Sequence, residues 1–215
     1  MRSYLRENGL SLTLAAIFLA CLLGQVHFGH AAYNDDLARE GAAPIGLDAY
    51  LRSGHFISAL MENWESEFLQ MGMYVLLTVH LRQRGSAESR PLDPSQEGGD
   101  IAPGRKPWPA RKGGACRALY EWSLSIALLS LFAVAFIGHA LGSWRLEADE
   151  RAAAGLPGES LLAHVTGAQF WFESMQNWQS EFLAVLTLVV LSIFLRQKDS
   201  PQSKPVDAPN SQTGA

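Results

Sequence analysis

Cysteine is nearly absent from the 215-residue chain: Cys21 lies inside the first apolar block and Cys116 in the basic central loop, so no disulfide framework is implied. Charge is sparse as well. At 18 % charged against 48 % hydrophobic residues, the composition leans away from an ordinary soluble domain of this length. There is no glycine-rich phosphate loop, no HExxH and no GxSxG, which removes the common sequence signatures of nucleotide, zinc-peptidase and serine-hydrolase chemistry. The net charge of −4 is too small to select a partner.

What the chain does have is apolar sequence gathered into four blocks, at 9 to 29, 68 to 81, 122 to 142 and 182 to 195. The first and third have the roughly 20-residue length a helix needs to cross about 30 Å of hydrocarbon. The second and fourth are shorter, but each follows proline-free, helix-compatible sequence from Phe56 or Phe170. A helix of about 26 residues there reaches roughly 39 Å, enough to cross. Four crossings are therefore expected.

Basic residues are segregated. The N-terminal tail, the central loop (82 to 117) and the C-terminal tail hold 13 of the 17 Lys and Arg residues. The positive-inside rule then places both termini and the central loop in the cytoplasm, and topology explains the basic loop without invoking nucleic acid. The first block resembles a signal peptide ending near "GHAA" (29 to 32), yet it aligns with an internal block that cannot be one, so both are read as retained helices.

The alignment is ungapped. Residues 4 to 91 laid over 118 to 205 at a constant offset of 114 give 28 identities in 88 positions. Matches include Gly24 with Gly138, Gly41 with Gly155, "NWESEFL" (63 to 69) with "NWQSEFL" (177 to 183), and "LRQRGSAESRP" (81 to 91) with "LRQKDSPQSKP" (195 to 205). Each unit contains two crossings, so both copies enter from the same side as parallel repeats. The expected organisation is a first two-span repeat at 1 to 92, a flexible Pro- and Gly-rich linker at 93 to 117, a second repeat at 118 to 205 and a disordered tail at 206 to 215.

The repeated phrase falls where a charge is costly. Glu67 is 15 residues above Arg82, roughly 22 Å at 1.5 Å per residue, and Glu181 stands equivalently above Arg196. Asn63 with Glu67, and Asn177 with Glu181, share a helix face at i and i+4. Ser66 and Ser180 complete the polar set, while Trp64 and Trp178 are placed for the headgroup boundary. The opposite stripe, Trp171, Met175, Trp178, Phe182, Val185 and Val189, is apolar and suits lipid or a partner helix. Intramembrane polar groups of this kind either lock helices together or mark an ion path.

Five histidines (His27, His30, His55, His139 and His164) gather toward the outer side, but no ligand spacing is kept between the repeats, so no metal or cofactor is expected. Glu7 and Glu121 open their helices, where a carboxylate complements the helix dipole.

Through the doubled "NW-x-SEFL", the "LRQ" exits and the opening "YLRENGLSL", the chain resembles a family of bacterial integral membrane proteins known as domain of unknown function 6766. The resemblance covers nearly the whole length and implies membrane location and bacterial origin; it carries no activity. The expectation is an all-α, four-helix inner-membrane protein of two parallel two-helix repeats. Its function is expected to be non-enzymatic, with Asn63, Ser66, Glu67, Asn177, Ser180 and Glu181 packing the repeats or a partner. A small ion- or proton-coupled transporter using Glu67 and Glu181 is the alternative, and a metal or redox enzyme a third class. The expected partners are the lipid bilayer and a second copy or another membrane protein, not nucleic acid.

Overall fold

The computed structural model describes residues 2–93, 95 and 101–214. All regular elements among them are helices: α1 Arg2–Glu7, α2 Gly9–Arg39, α3 Leu47–Tyr50, α4 Gly54–His80, α5 Trp108–Lys112, α6 Gly114–Glu121, α7 Ser123–Ala153, α8 Leu161–Val165 and α9 Ala168–Phe194.

Three of these, α2, α7 and α9, are long and apolar enough to cross a membrane. The fourth expected span, α4, is 27 residues long but does not reach the same apolarity. Glu62, Asn63, Glu65, Glu67 and Gln70 crowd its middle turns, so length rather than composition suits it to crossing.

Helix ends repeat. At Gly41 (φ 76°) α2 stops in a Schellman turn, with Gly41 N donating to Ala38 O at 3.1 Å and Ala42 N to Leu37 O at 2.8 Å. At Gly155 (φ 65°) α7 stops identically, Gly155 N to Ala152 O at 3.1 Å and Leu156 N to Arg151 O at 2.8 Å. Only glycine adopts this left-handed turn without cost, which accounts for the identity at these aligned positions.

The two "LRQ" exits also share one geometry. Arg82 Nη1 caps the carbonyls of Thr78, Val79 and Leu81, and Arg196 Nη1 those of Ser192, Ile193 and Leu195. Gln83 N donates to Ser89 Oγ and Gln197 N to Ser203 Oγ, both at 2.9 Å. At the next turn Gly85 has φ 84° and its counterpart Asp199 has φ 64°. Asp199→Gly is therefore expected to stabilise the second exit by about 0.5–1 kcal/mol, measurable as a raised unfolding midpoint. Gly85→Ala goes the other way, because its Cβ would stand 2.5 Å from Asn210 O.

The chain divides into two compact units, Met1–Met61 with Gly138–Val165, and Glu62–Ile137 with Thr166–Ala215. Each unit takes residues from both sequence repeats, so compactness does not follow the repeat boundaries. In the first unit, Tyr50 is 1 % exposed and is ringed by His30, Tyr33, His55 and Phe56. Asn34 and Ile45 exchange two hydrogen bonds, and His30 Nε2 lies 2.7 Å from the same Ile45 carbonyl, tying the end of α2 to the segment before α3. There α4 crosses α7 closely: a Cβ on Gly142 would lie 2.6 Å from Ser58 N, and one on Gly54 2.7 Å from Gly142 O. In the second unit, Phe132, Phe136, Phe170, Trp171 and Trp178 form a chain of edge-on and tilted rings between α7 and α9.

Within 93–117 the chain forms α5 and the start of α6, because Pro107 and Pro109 fix the first turn and Ala- and Arg-rich sequence continues it; linker residues 94 and 96–100 lie outside the described residues. Over 206–214, main-chain carbonyls of Pro209, Asn210 and Gln212 close around the Lys204 ammonium. Residue 215 lies outside the described residues.

Candidate functional site: a polar seam between two helices

Within the second unit, α4 and α9 run side by side in the same direction, and their polar contacts ascend in step. Asn177 Nδ2 donates to Glu62 Oε1, Trp178 Nε1 donates to Glu65 Oε1 at 2.8 Å, and Gln70 Nε2 donates to Glu181 O at 3.1 Å. At the exit, Ser86 Oγ and Ser192 Oγ are 2.9 Å apart. Glu65 is fully buried, and Ser66, Gln70, Ser86 and Ser192 are also buried.

A buried carboxylate without a donor costs several kcal/mol, so the Trp178 indole does more than fill space. The indole N–H has no other use for a donor and meets the acid within ordinary charge-assisted bond length. The seam is asymmetric in charge. Glu62 and Glu65 align with Gln176 and Gln179, so the paired helices carry acids on one side and neutral amides at the matching positions on the other. Gln176 and Gln179 are themselves exposed, so the bonding across the seam falls to Asn177 and Trp178.

The sequence-derived residues divide. Asn177 and Trp178 join the seam directly, and Glu181 joins through its main-chain carbonyl. Ser66 and Ser180 instead donate to carbonyls of their own helices, Asn63 O at 2.9 Å and Asn177 O at 2.8 Å. Asn63, Glu67 and Ser180 are exposed, Glu181 is half-buried, and Trp64 is half-buried on α4. Glu62 and Glu65 are thus acids whose side chains bond across the repeats. They escape a search for repeated residues because the repeat replaces each with glutamine.

The exit below the seam is closed by Lys204. The residue is 1 % exposed, and its ammonium donates to the carbonyls of Ile193 and Pro209 (both 3.4 Å), Asn210 (3.1 Å) and Gln212 (3.0 Å). Arg196 Nη2 adds Ala208 O and Asn210 Oδ1, while Thr213 Oγ1 accepts from Gly85 N and Gly214 N donates to Ser86 O. The aligned Arg90 is exposed instead.

In the first unit, a cavity of about 300 Å³ is lined by Tyr33, His55, Asp36, Glu40, Asp149 and Glu150 among others. His164 Nε2 lies 2.8 Å from Ser143 Oγ, which itself donates to His139 O. No group of three His, Cys, Asp or Glu side chains among the described residues is arranged to hold a metal ion.

An all-helical chain with three membrane-length apolar helices and a buried polar seam belongs to the class of helical proteins suited to membrane association. More particularly, the profile of a domain of unknown function (DUF6766) matches residues 1–215, and the chain belongs to that family. No curated protein and no solved structure matches it.

Proposed function

We propose that this is a non-enzymatic, multi-pass protein of the bacterial inner membrane, with α2, α4, α7 and α9 all crossing and both termini cytoplasmic. Two parallel helix pairs are fastened along α4 and α9, and that fastened pair is the functional unit, a scaffold for packing within the bilayer. The observation that carries the reading is the cross-repeat bond from Trp178 Nε1 to the fully buried Glu65. Such a bond is worth most as a specificity device: it fixes register between two helices that would otherwise slide on apolar surface.

The test is a double-mutant cycle of Glu65→Gln and Trp178→Phe, read by unfolding in detergent. A coupling of about 1 kcal/mol is expected, with each single change costing more than the shared term predicts. Additive effects would show that the two side chains do not act together.

The second reading is a small ion- or proton-coupled transporter using Glu67 and Glu181. It is favoured by the exposure of Glu67. Proton or cation flux in reconstituted vesicles, abolished by Glu67→Gln with Glu181→Gln while unfolding is unchanged, would establish it over the scaffold.

A further inference from the structure

Topology accounts for the side of the membrane on which the central loop's charge is kept, but not for the aromatic residues set among it. From Ile101 to Tyr120 there is no Asp or Glu, while Arg105, Lys106, Arg111, Lys112 and Arg117 are all positive. Trp108, Tyr120 and Trp122 are interleaved with them. This stretch lies wholly within the second unit, where α5 and α6 contain no buried residue.

Both helices are built for a boundary rather than for a core. In α6, at about 100° per residue, Ala115, Ala118, Leu119 and the capping Trp122 share one side. Arg117 and Glu121 take the other, joined by an ion pair at 2.8 Å. In α5 the Lys112 ammonium stands 5.1 Å from the centre of the Trp108 ring, a cation on an aromatic face.

A break then separates α6 from the long apolar helix. Trp122 leaves helical geometry (φ −109°, ψ 4°), and α7 begins only at Ser123. The first repeat breaks at the aligned residue: Asn8 (φ −116°, ψ 14°) separates α1, ending at Glu7, from α2, starting at Gly9. Both copies thus interrupt the helix directly before the apolar run, which frees α6 from the axis of α7.

We propose that α5 and α6 lie in the headgroup layer of an anionic cytoplasmic leaflet, with Leu119 and Trp122 turned to the acyl chains and Arg105, Lys106, Arg111 and Lys112 on lipid phosphates. Charge complementarity carries the choice of partner: a basic amphipathic segment edged with Trp is what an anionic lipid surface holds. The chain's own α1 is net positive and offers no attraction, and Glu147, Asp149 and Glu150 stand roughly 36 Å or more along α7 from Ser123 at 1.5 Å per residue. The leaflet, by contrast, is where α7 enters directly after the break. The proposal rests on the membrane reading above and adds the class of lipid that the cytoplasmic side recognises.

The test uses the full chain with Cys21→Ser, an environment-sensitive dye on Cys116, and lipid nanodiscs of phosphatidylcholine alone or mixed in equal parts with phosphatidylglycerol. With phosphatidylglycerol present, quenching by aqueous acrylamide should fall at least about five-fold, the gain from a single basic residue at such a surface, and quenching by a nitroxide on the lipid headgroup should rise. Arg105→Gln, Lys106→Gln, Arg111→Gln and Lys112→Gln together should abolish the difference between the two lipids and leave the unfolding midpoint unchanged. A dye open to acrylamide in both discs would put the segment in water and overturn the proposal. So would shielding that is equal in both lipids, or shielding without nitroxide quenching, the mark of a protein surface over the dye. Protection that appears only on adding a nucleic-acid duplex would assign the basic run to that partner and overturn it too. A label at Val134→Cys on α7, with Cys21→Ser and Cys116→Ser, keeps the two readings apart. If it is quenched by a nitroxide deep in the acyl chains while Cys116 stands in water, only the surface contact falls; if it is itself open to acrylamide, the crossing of α7 falls.

Discussion

Replacing Gly142 with leucine is expected to dismantle the crossing of α4 on α7 and to cost about 3 kcal/mol or more, a large fraction of the stability of any domain. The reason is what the new side chain would strike. Its first carbon alone would stand 2.6 Å from Ser58 N and 3.0 Å from Ile57 C, both main-chain atoms that cannot step aside without moving α4. Even Gly142→Ala should therefore be severe. Gly138→Ala, one turn earlier on α7, should be mild by comparison, since its added carbon would meet only the Met61 side chain, and a thioether with three rotatable bonds gives way easily. Thermal unfolding of the detergent-purified protein separates the cases: a loss at Gly142 many degrees larger than at Gly138 is expected, and equal losses would mean that backbone contact does not set the crossing. The site is a small-residue motif, Gly138-His-Ala-Leu-Gly142, whose close helix approach takes the place of hydrophobic driving force where lipid is as apolar as leucine.

That motif stands in the letters as Gly-x-x-x-Gly within an apolar block but went unread, because it carries no information about its partner until Gly54 and Ser58 are seen to oppose it. The helices themselves were readable, because runs of about 20 apolar residues have few alternatives to a helix. The first half of α4 was harder. Its three acids depress its apolarity, and which of them turns inward depends on rotation about the helix axis, where Glu65 and Glu67 differ by about 200°. Repetition pointed to Glu67 and Glu181, the pair kept in both copies. Packing buries Glu65 against the Trp178 indole, while its counterpart Gln179 is exposed. Symmetry in sequence thus marks what both copies need, here helix ends and exits, while the contact between copies is found where symmetry is broken. The same reasoning explains the tail: nothing in "DAPNSQTGA" promises order, and its structure comes from a lysine several residues earlier that gathers its carbonyls.

Removing that lysine should release the tail. In Lys204→Met the carbonyls of Ile193, Pro209, Asn210 and Gln212 lose a shared donor that is 1 % exposed, and water must enter to replace it. A loss of about 2–3 kcal/mol of local stability is expected, which corresponds to hydrogen exchange on the order of 100-fold faster at Gly85 N–H and Gly214 N–H, the two amides that the docked tail protects. Arginine should not rescue it, because a planar fork cannot point three donors into a compact ring of carbonyls. The pH dependence separates the ammonium's charge from its geometry. Burial first, and the Arg196 guanidinium second, push Lys204 below the ordinary lysine range. The released tail therefore holds its proton to higher pH than the docked tail, and between those two values the released form binds more protons. By linkage, docking gains stability as pH rises through that window and the gain is absent below it. Exchange at Gly85, corrected for its intrinsic alkaline acceleration, should consequently slow or hold steady as pH rises toward the ordinary lysine value of about 10.4. A corrected rate that climbs across this range would mean that the positive charge, rather than the set of donors it carries, is what holds the tail in place.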